Sequence, residues 1–383
     1  MNNQSKLIVS PVGISLLLNY ASQIRQDGNL RKQFLDCSNE KNLPQELAGQ
    51  VEELSEEILT YLIDANVETR RKLSAELNGL YGLFPNGQFS KSDTHILIAT
   101  DTELGQTTAR ILEEFLREHG VQNIQIICPS GLQTKDEVQF RRAIRELFAD
   151  LESILPEYKN KVYQITFNLT GGFKSLYSYL SIVGMFYGDK IVYIFENGKL
   201  LSIPRLPLRI DDSQLRQPEQ AVQLALLAAG HIYRRSDIQL PGALWEEDEK
   251  GDVTISEWGQ LIWDQVKNDI LSKGLLPFPY LEYESTFRKD FEKATPEQRI
   301  RLQETLAKVS KILLEHQGNI KALKEHGGLQ YDNYTNKSLP DGTPIGHFRI
   351  NEGDRVTCIA VGGKLYLRHF GSHDYTESKE GVR

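Results

Sequence analysis

The chain has 383 residues, more than one ordinary core organises, so two or three domains are expected. A composition of 40% hydrophobic, 25% charged and 9% aromatic residues excludes collagen-like, low-complexity and largely disordered readings, and a net charge of −8 argues against coating nucleic acid through the overall field. The charge is uneven: residues 283–383 hold 16 basic against 14 acidic side chains and five of the eight histidines, the groups most easily poised for proton transfer near neutral pH, so catalysis is expected there.

In chain order, residues 6–21 (KLIVSPVGISLLLNYA) carry a lysine and an apolar run like a signal peptide. The interrupting proline and glycine fit a strand, turn and helix better. Residues 1–200 alternate short apolar or β-branched runs with longer amphipathic stretches, the pattern of an α/β domain with a parallel sheet. Strands are expected at 7–10, 95–100, 124–128, 162–168 and 190–196, and crossover helices at 101–119 and 135–153. The two prolines of IPRLP (203–207) mark a boundary. Beyond it, an apolar helix at 221–229, a strand at 252–255 and a helix at 256–271 capped by Ser256 suggest a small winged-helix-like unit without a basic recognition face. After LLPFP (275–279), helices are expected at 286–294 and at 296–317, where Pro296 suits a first turn. Strands follow at 345–350, 355–361 and 364–370, the last two joined by a Gly362-Gly363 turn. The C-terminal domain is therefore α+β. No run approaches the ~20 apolar residues that cross a bilayer. Cys37, Cys128 and Cys358 lack the spacing of a disulfide framework or zinc cluster, which indicates a reducing compartment.

In an open α/β sheet the residues just after each strand form the ligand site. Three such loops stand out: Ser10, Gly13 and Ser15; Thr100, Asp101 and Thr102; and Asn168, Thr170, Gly171, Gly172, Lys174 and Ser175. Ser10 and Thr102 alone also read as ordinary helix caps. The third loop combines two glycines, a helix start and a lysine, which suits phosphate. It is neither a Walker A motif nor a Rossmann dinucleotide fingerprint, so ATP hydrolysis and NAD chemistry lose their support.

VSPVGISLL, ATDTELG and NLTGGFKSL resemble the CARF sensor, the CRISPR-associated Rossmann fold, over residues 1–200. That resemblance implies a homodimer binding cyclic oligoadenylate, with cyclic tetra-adenylate favoured over cyclic hexa-adenylate. Thr170, Gly171, Gly172 and Lys174 would hold the ring phosphates, and Ser10, Gly13, Ser15, Thr100, Asp101 and Thr102 would shape the base and ribose pockets.

Near the C-terminus, His347, Arg349, Arg355, Arg368, His369, His373 and Tyr375 fall on adjacent strands or their ends, close enough to converge on one face. A solvated basic sheet face is the plainer reading. Few carboxylates accompany the histidines, so no metal is expected. FRKDFEKATPEQRIRLQETLAKV, FRINEGDRV and LRHFGSHDYTE resemble the RelE-family toxins, metal-independent ribonucleases that cut messenger RNA in the ribosomal A site by attack of a 2′-hydroxyl. The resemblance implies that Arg349 and Arg355 bind the transition-state phosphate. His373 would act as general acid or base with His369 behind it, and Tyr375 would stack or donate a hydrogen bond. His347 stands where some members have lysine, and the tyrosine need not be equivalent.

Together these give a cytoplasmic CARF-RelE effector with domains at 1–200, 201–284 and 285–383. It needs no cofactor and no membrane, and its partners are cyclic oligoadenylate, the ribosome, messenger RNA and a second copy. The competing readings are a cyclic-oligoadenylate phosphodiesterase and a ligand-dependent DNA-binding regulator.

Overall fold

The strand β1 (Lys6–Pro11) is buried along nearly its whole length, as expected for the centre of a sheet covered on both faces. A computed structural model describes residues 4–195, 198–206 and 211–381, and the chain divides into two units, residues 1–209 and 210–383. In the first unit β1 is followed by five α-helices, α1 (Ser15–Asn19), which runs on into a π-helical turn at Tyr20–Ile24, α2 (Gly28–Asp36), α3 (Gln45–Asp64), α4 (Val67–Leu73) and α5 (Ala75–Leu83). Then come β2 (Thr94–Ile98), α6 (Glu103–Glu118), β3 (Asn123–Ile127), α7 (Glu137–Asn160), β4 (Gln164–Asn168), α8 (Lys174–Tyr187), β5 (Lys190–Ile194) and β6 (Leu200–Pro204).

The sheet order is β3-β2-β1-β4-β5-β6. The first five strands pair in parallel and β6 returns antiparallel to β5, which confirms the α/β class for this part. All five expected strands are present within one or two residues at their ends. The expected extension of the fifth to Glu196 lies outside the described residues, as does Pro207 of the IPRLP segment. Ile203 and Pro204 do not mark a boundary: they belong to β6, opposite Ile191 and Lys190, and the division falls at 209/210. Proline is tolerated there because β6 is an edge strand.

The second unit runs through α9 (Pro218–Ala228), β7 (Tyr233–Arg234), β8 (Trp245–Glu247), β9 (Asp252–Ile255) and α10 (Glu257–Lys273). Next are β10 (Leu281–Tyr283), α11 (Ser285–Lys293), α12 (Pro296–Glu315), α13 (Ala322–Glu325), β11 (Asp332–Ser338), β12 (Pro344–Arg349), β13 (Asp354–Val361), β14 (Lys364–Ser372) and α14 (His373–Lys379). A small sheet has the order β7-β9-β8 and a larger one β10-β14-β13-β12-β11. Ser256 caps α10 by accepting from the Gly259 amide. Thr295 and Gln298 form a reciprocal capping box ahead of α12 with Pro296 in its first turn, which satisfies two otherwise orphaned amides.

Between β7 and β8 the chain makes two three-residue 3-10 turns, Arg235–Asp237 and Gly242–Leu244, and no α-helix. The element that would enter a DNA groove in a winged helix is thus not formed there. Nor do residues 201–284 enclose a core of their own. One buried cluster runs from Leu224, Val253 and Trp263 through Phe287 and Leu306 to Phe348, Val356 and Leu367, so the middle and C-terminal segments share one hydrophobic interior.

Candidate functional site

From β1 the chain goes to its neighbour on one side, and from β4 to its neighbour on the other. The carboxyl ends of these two central strands are therefore the topological switch point, where open α/β sheets form their ligand crevice. The loops that leave them touch: a Cβ on Gly13 would lie 3.2 Å from Gly172 Cα, and one on Gly172 would lie 2.7 Å from Pro11 Cβ. Gly172 has φ +106°, a backbone that side-chain-bearing residues rarely adopt.

Asn168, fully buried at the end of β4, donates to Ser10 Oγ at 3.3 Å and to the Glu76 carbonyl at 3.2 Å. Its Oδ1 and Thr170 Oγ1 are buried without partners, next to Gly79 of α5, where a Cβ would collide with both. Lys174 and Ser175 are exposed at the head of α8. No side chain caps that helix, and a helix start without a cap is where an anion is favoured.

Sequence reasoning missed Glu76. Its carboxylate, only 1% exposed, accepts from the Gly13 amide at 2.9 Å, Ser15 Oγ at 3.2 Å and Ser74 Oγ at 2.7 Å, and it packs where a Cβ on Gly171 would stand. It ties α5 to both glycine loops. Nothing in its sequence neighbourhood distinguishes it from any acidic residue in a helical first turn.

The loop after β2 is spent differently. Thr102 caps α6 by accepting from the Gly105 amide and lies 2.8 Å from Thr100 Oγ1. Asp101 accepts from the Gly131 amide and Lys41 Nζ, each at 2.9 Å. Burial alone would raise its pKa, but these two partners outweigh it and hold the carboxyl below its usual range. Thr102 thus follows the plain capping reading, and Asp101 braces the β3 loop.

In the second unit, antiparallel register places His347 opposite Thr357 and Arg349 opposite Arg355, so these four share one face of the sheet. Tyr334 stacks on the His347 ring, 4.3 Å between centroids. The segment HDYTE, whose His373 and Tyr375 were expected on a strand or at its end, forms a helix. Ser372 caps α14 by accepting from the Tyr375 amide, and α14 packs on β13 and β14. His373 Nε2 lies 3.0 Å from Glu377 Oε1 one turn on. Burial, then the charge of Arg355, lowers the His347 pKa below 6.5, with His373 adding to the effect and Asp332 and Glu377 opposing it. His347 is thus neutral near pH 7, and its Nδ1 is buried without a partner. His347, Arg355, His373, Glu377 and Tyr334 form one electrostatic neighbourhood.

His369, paired with Thr357 on the same row as His347, and Tyr375 both meet the buried Asp290 of α11. His369 Nδ1 is 3.1 Å from Asp290 Oδ2, and the Tyr375 hydroxyl donates to Oδ1 at 2.6 Å. Burial, with the hydrogen bond to Asp290 and its charge, pushes Tyr375 up to about 12, so it stays a protonated donor. A β-bulge between Thr357 and Cys358 puts Arg368 across from no residue of β13. Its guanidinium engages Glu380 and Glu284, and Glu380 also accepts from Thr357 Oγ1 at 2.7 Å. Arg349 donates to the Asn351 carbonyl and Gln330. Among the described residues no group of three or more histidine, cysteine, aspartate or glutamate side chains is arranged to hold a metal ion, and no helix is long and apolar enough to cross a membrane.

The first unit is therefore a doubly wound α/β domain with a glycine-lined crevice at its switch point. Residues 71–206, which take in α5 and every strand after the first, match the model of a family described as CRISPR-associated protein (Cas_APE2256). Among solved structures, Enterococcus italicus Csm6 bound to cyclic hexa-2′-fluoro-hexa-dAMP is matched at 14% identity with a TM-score of 0.28, covering 84% of this chain and 65% of that one. The chain thus spans less than two thirds of that protein's length.

Proposed function

We propose that this protein is a cyclic-oligoadenylate-activated effector of CRISPR defence whose residues 1–200 sense the ligand and whose residues 285–383 cut messenger RNA in the ribosomal A site without a metal. The sensor reading is supported by the family match over residues 71–206 and by the crevice where Gly13 meets Gly172. There Thr170, Gly171 and Lys174 would receive ring phosphates, and the unpartnered Asn168 Oδ1 and Thr170 Oγ1 would gain a donor or an acceptor from the ligand. The favoured ligand is cyclic tetra-adenylate, bound by a homodimer.

The observation that carries the nuclease reading is that His347 and Arg355, on one sheet face, have His373 of α14 in their electrostatic neighbourhood and Tyr334 stacked on the His347 ring. In the reaction a ribose 2′-oxygen attacks the adjacent phosphorus, its proton passes to a base, and the 5′-oxygen of the next nucleotide leaves with a proton from an acid, giving a 2′,3′-cyclic phosphate. Neutral His347 suits the base. His373, with Glu377 Oε1 3.0 Å from its Nε2, would serve as the acid. Arg355, with Arg349 opposite, balances the charge that grows on the phosphoryl oxygens. His369 and Tyr375 are both bonded to Asp290, so Tyr375 would act through the structure of the site, while His369, paired with Thr357 as His347 is on the other side, would remain the reserve for His373.

The test is to map new messenger ends with translating ribosomes, with and without cyclic tetra-adenylate. Ligand-dependent cuts in the A-site codon are expected, falling at least 100-fold in His373→Ala, in line with loss of an acid or base. Equal cutting with and without ligand removes the switch, and an unchanged rate in His373→Ala removes that residue from the mechanism.

A further inference from the structure

We propose that a cavity of about 380 Å³ in residues 210–383 is a subsite for a phosphate-bearing nucleotide of a single RNA strand, an assignment that rests on the nuclease reading above. Neither His347, Arg355 nor His373 lines it. Its cationic side comes from Lys308 and Lys311 on α12 and Arg349 at the end of β12, with the His326 ring beside the Gly327-Gly328 pair. Lysines three residues apart lie on one helix face. No lining residue is acidic. The Glu315 carboxylate stands 3.7 Å from Lys311 Nζ, too far for a tight ion pair.

The rest of the wall is different in kind. Ala229, Ile312, Leu329 and Ile350 are apolar, and a Cβ on Gly327 or Gly328 would meet nothing within 4 Å, so the backbone there is open to a ligand. Cations on one side and an apolar floor on the other fit an anion that carries a flat, weakly polar body. The volume lies in the range of small-molecule sites and well above what inorganic phosphate fills. Those features describe a nucleotide, its phosphate at the lysines and its base on the floor.

Arg349 makes the case for a strand rather than a free nucleotide. It lines the cavity and also stands directly opposite Arg355, about 5 Å away across the sheet. A strand whose scissile phosphate lies at Arg355 would pass Arg349 and place a neighbouring nucleotide in the cavity. Lys308, Lys311 and the apolar wall would thus help hold substrate in register without touching the reacting atoms, with Arg349 shared between the cavity and the scissile phosphate.

Binding of an uncleavable 2′-O-methyl tetranucleotide to the full chain, read by fluorescence anisotropy over a salt series, tests this without requiring any cleavage. Lys308→Ala with Lys311→Ala should weaken binding at least tenfold and flatten the slope of log affinity against log salt by about 0.7 for each phosphate no longer neutralised. The arginine pair at the same positions should restore both, which separates charge from folding. Adenosine monophosphate should compete through the same lysines, and inorganic phosphate more weakly. Unchanged affinity in the alanine pair overturns the subsite. Lysine-dependent binding of the mononucleotide alone overturns the strand assignment, and so does an acidic peptide that displaces the tetranucleotide at equal concentration. Lysine-dependent binding by a chain that cuts no messenger would support the subsite while the nuclease reading fails.

Discussion

At the scale of single residues, the first unit keeps a histidine where water does not reach. His95 on β2 is fully buried, and neither ring nitrogen has a hydrogen-bond partner. Burial alone drives its pKa from 6.5 to about 4, because the charged ring has nothing to replace its hydration. Between those values the unfolded chain takes up a proton that the folded chain refuses. The contribution of His95 to stability is therefore complete above about pH 6.5 and is lost progressively as pH falls, levelling off below about pH 4, with a ceiling of roughly 3 kcal/mol. Urea melts from pH 8 to pH 4 should show this loss in the wild type and a flatter profile in His95→Leu. Buried Asp93 nearby has its pKa raised by desolvation and works in the opposite sense, but it is common to both proteins and cancels in the difference. Parallel profiles would mean that His95 is protonated in the fold, or that the region opens before it titrates.

At the scale of elements, two glycines should respond to alanine with opposite signs. Gly172 has φ +106° and its new Cβ would press on Pro11 at 2.7 Å, so Gly172→Ala should cost about 1–3 kcal/mol and spoil the crevice. Gly49 lies exposed inside α3 with nothing within 4 Å of its Cβ, so Gly49→Ala should gain about 0.5–1 kcal/mol. Denaturant midpoints check both, and a neutral Gly172→Ala would mean that the loop relaxes freely and does not define a site. Which elements were legible in the sequence follows the same physics. Central strands such as THILI of β2 are buried on both faces and read as continuous apolar runs, and long amphipathic helices such as α6 carry their own periodicity and cap. By contrast, β11 (DNYTNKS) has no apolar alternation, β10 is three residues long, and α14 (HDYTESK) is too short and polar to show a helical period. The missed α14 matters most, since it turns His373 from a strand-end residue into a helix residue paired with Glu377. Candidate residues next to strand ends could be proposed from position alone, whereas Glu76, Asp290 and Glu377 come from elsewhere in the chain and acquire meaning only through contacts.

At the scale of the whole molecule, the shared core from Leu224 to Leu367 joins the middle and C-terminal segments into one body, so on the proposed sensor reading a ligand signal would have to move or reorganise that body and could not flex a separate middle domain. A ligand shifts such a two-state equilibrium only by its preference for one state, and turning a 1:99 balance into 99:1 requires about a 10⁴-fold preference. Lys174 is exposed at the head of α8 and would meet a ring phosphate whichever state the second unit adopts. It should therefore add affinity to both states and contribute little to the preference between them. Lys174→Ala should accordingly move the cyclic tetra-adenylate concentration for half-maximal cleavage up by about tenfold, the scale of one charge-assisted hydrogen bond, and leave the plateau rate at saturating ligand unchanged. A lowered plateau at full occupancy would instead assign Lys174 to the switch itself, because the ligand would then no longer prefer the active state. An unshifted curve would take the loop at the switch point out of ligand binding and, with it, the main structural support for a sensor in the first unit.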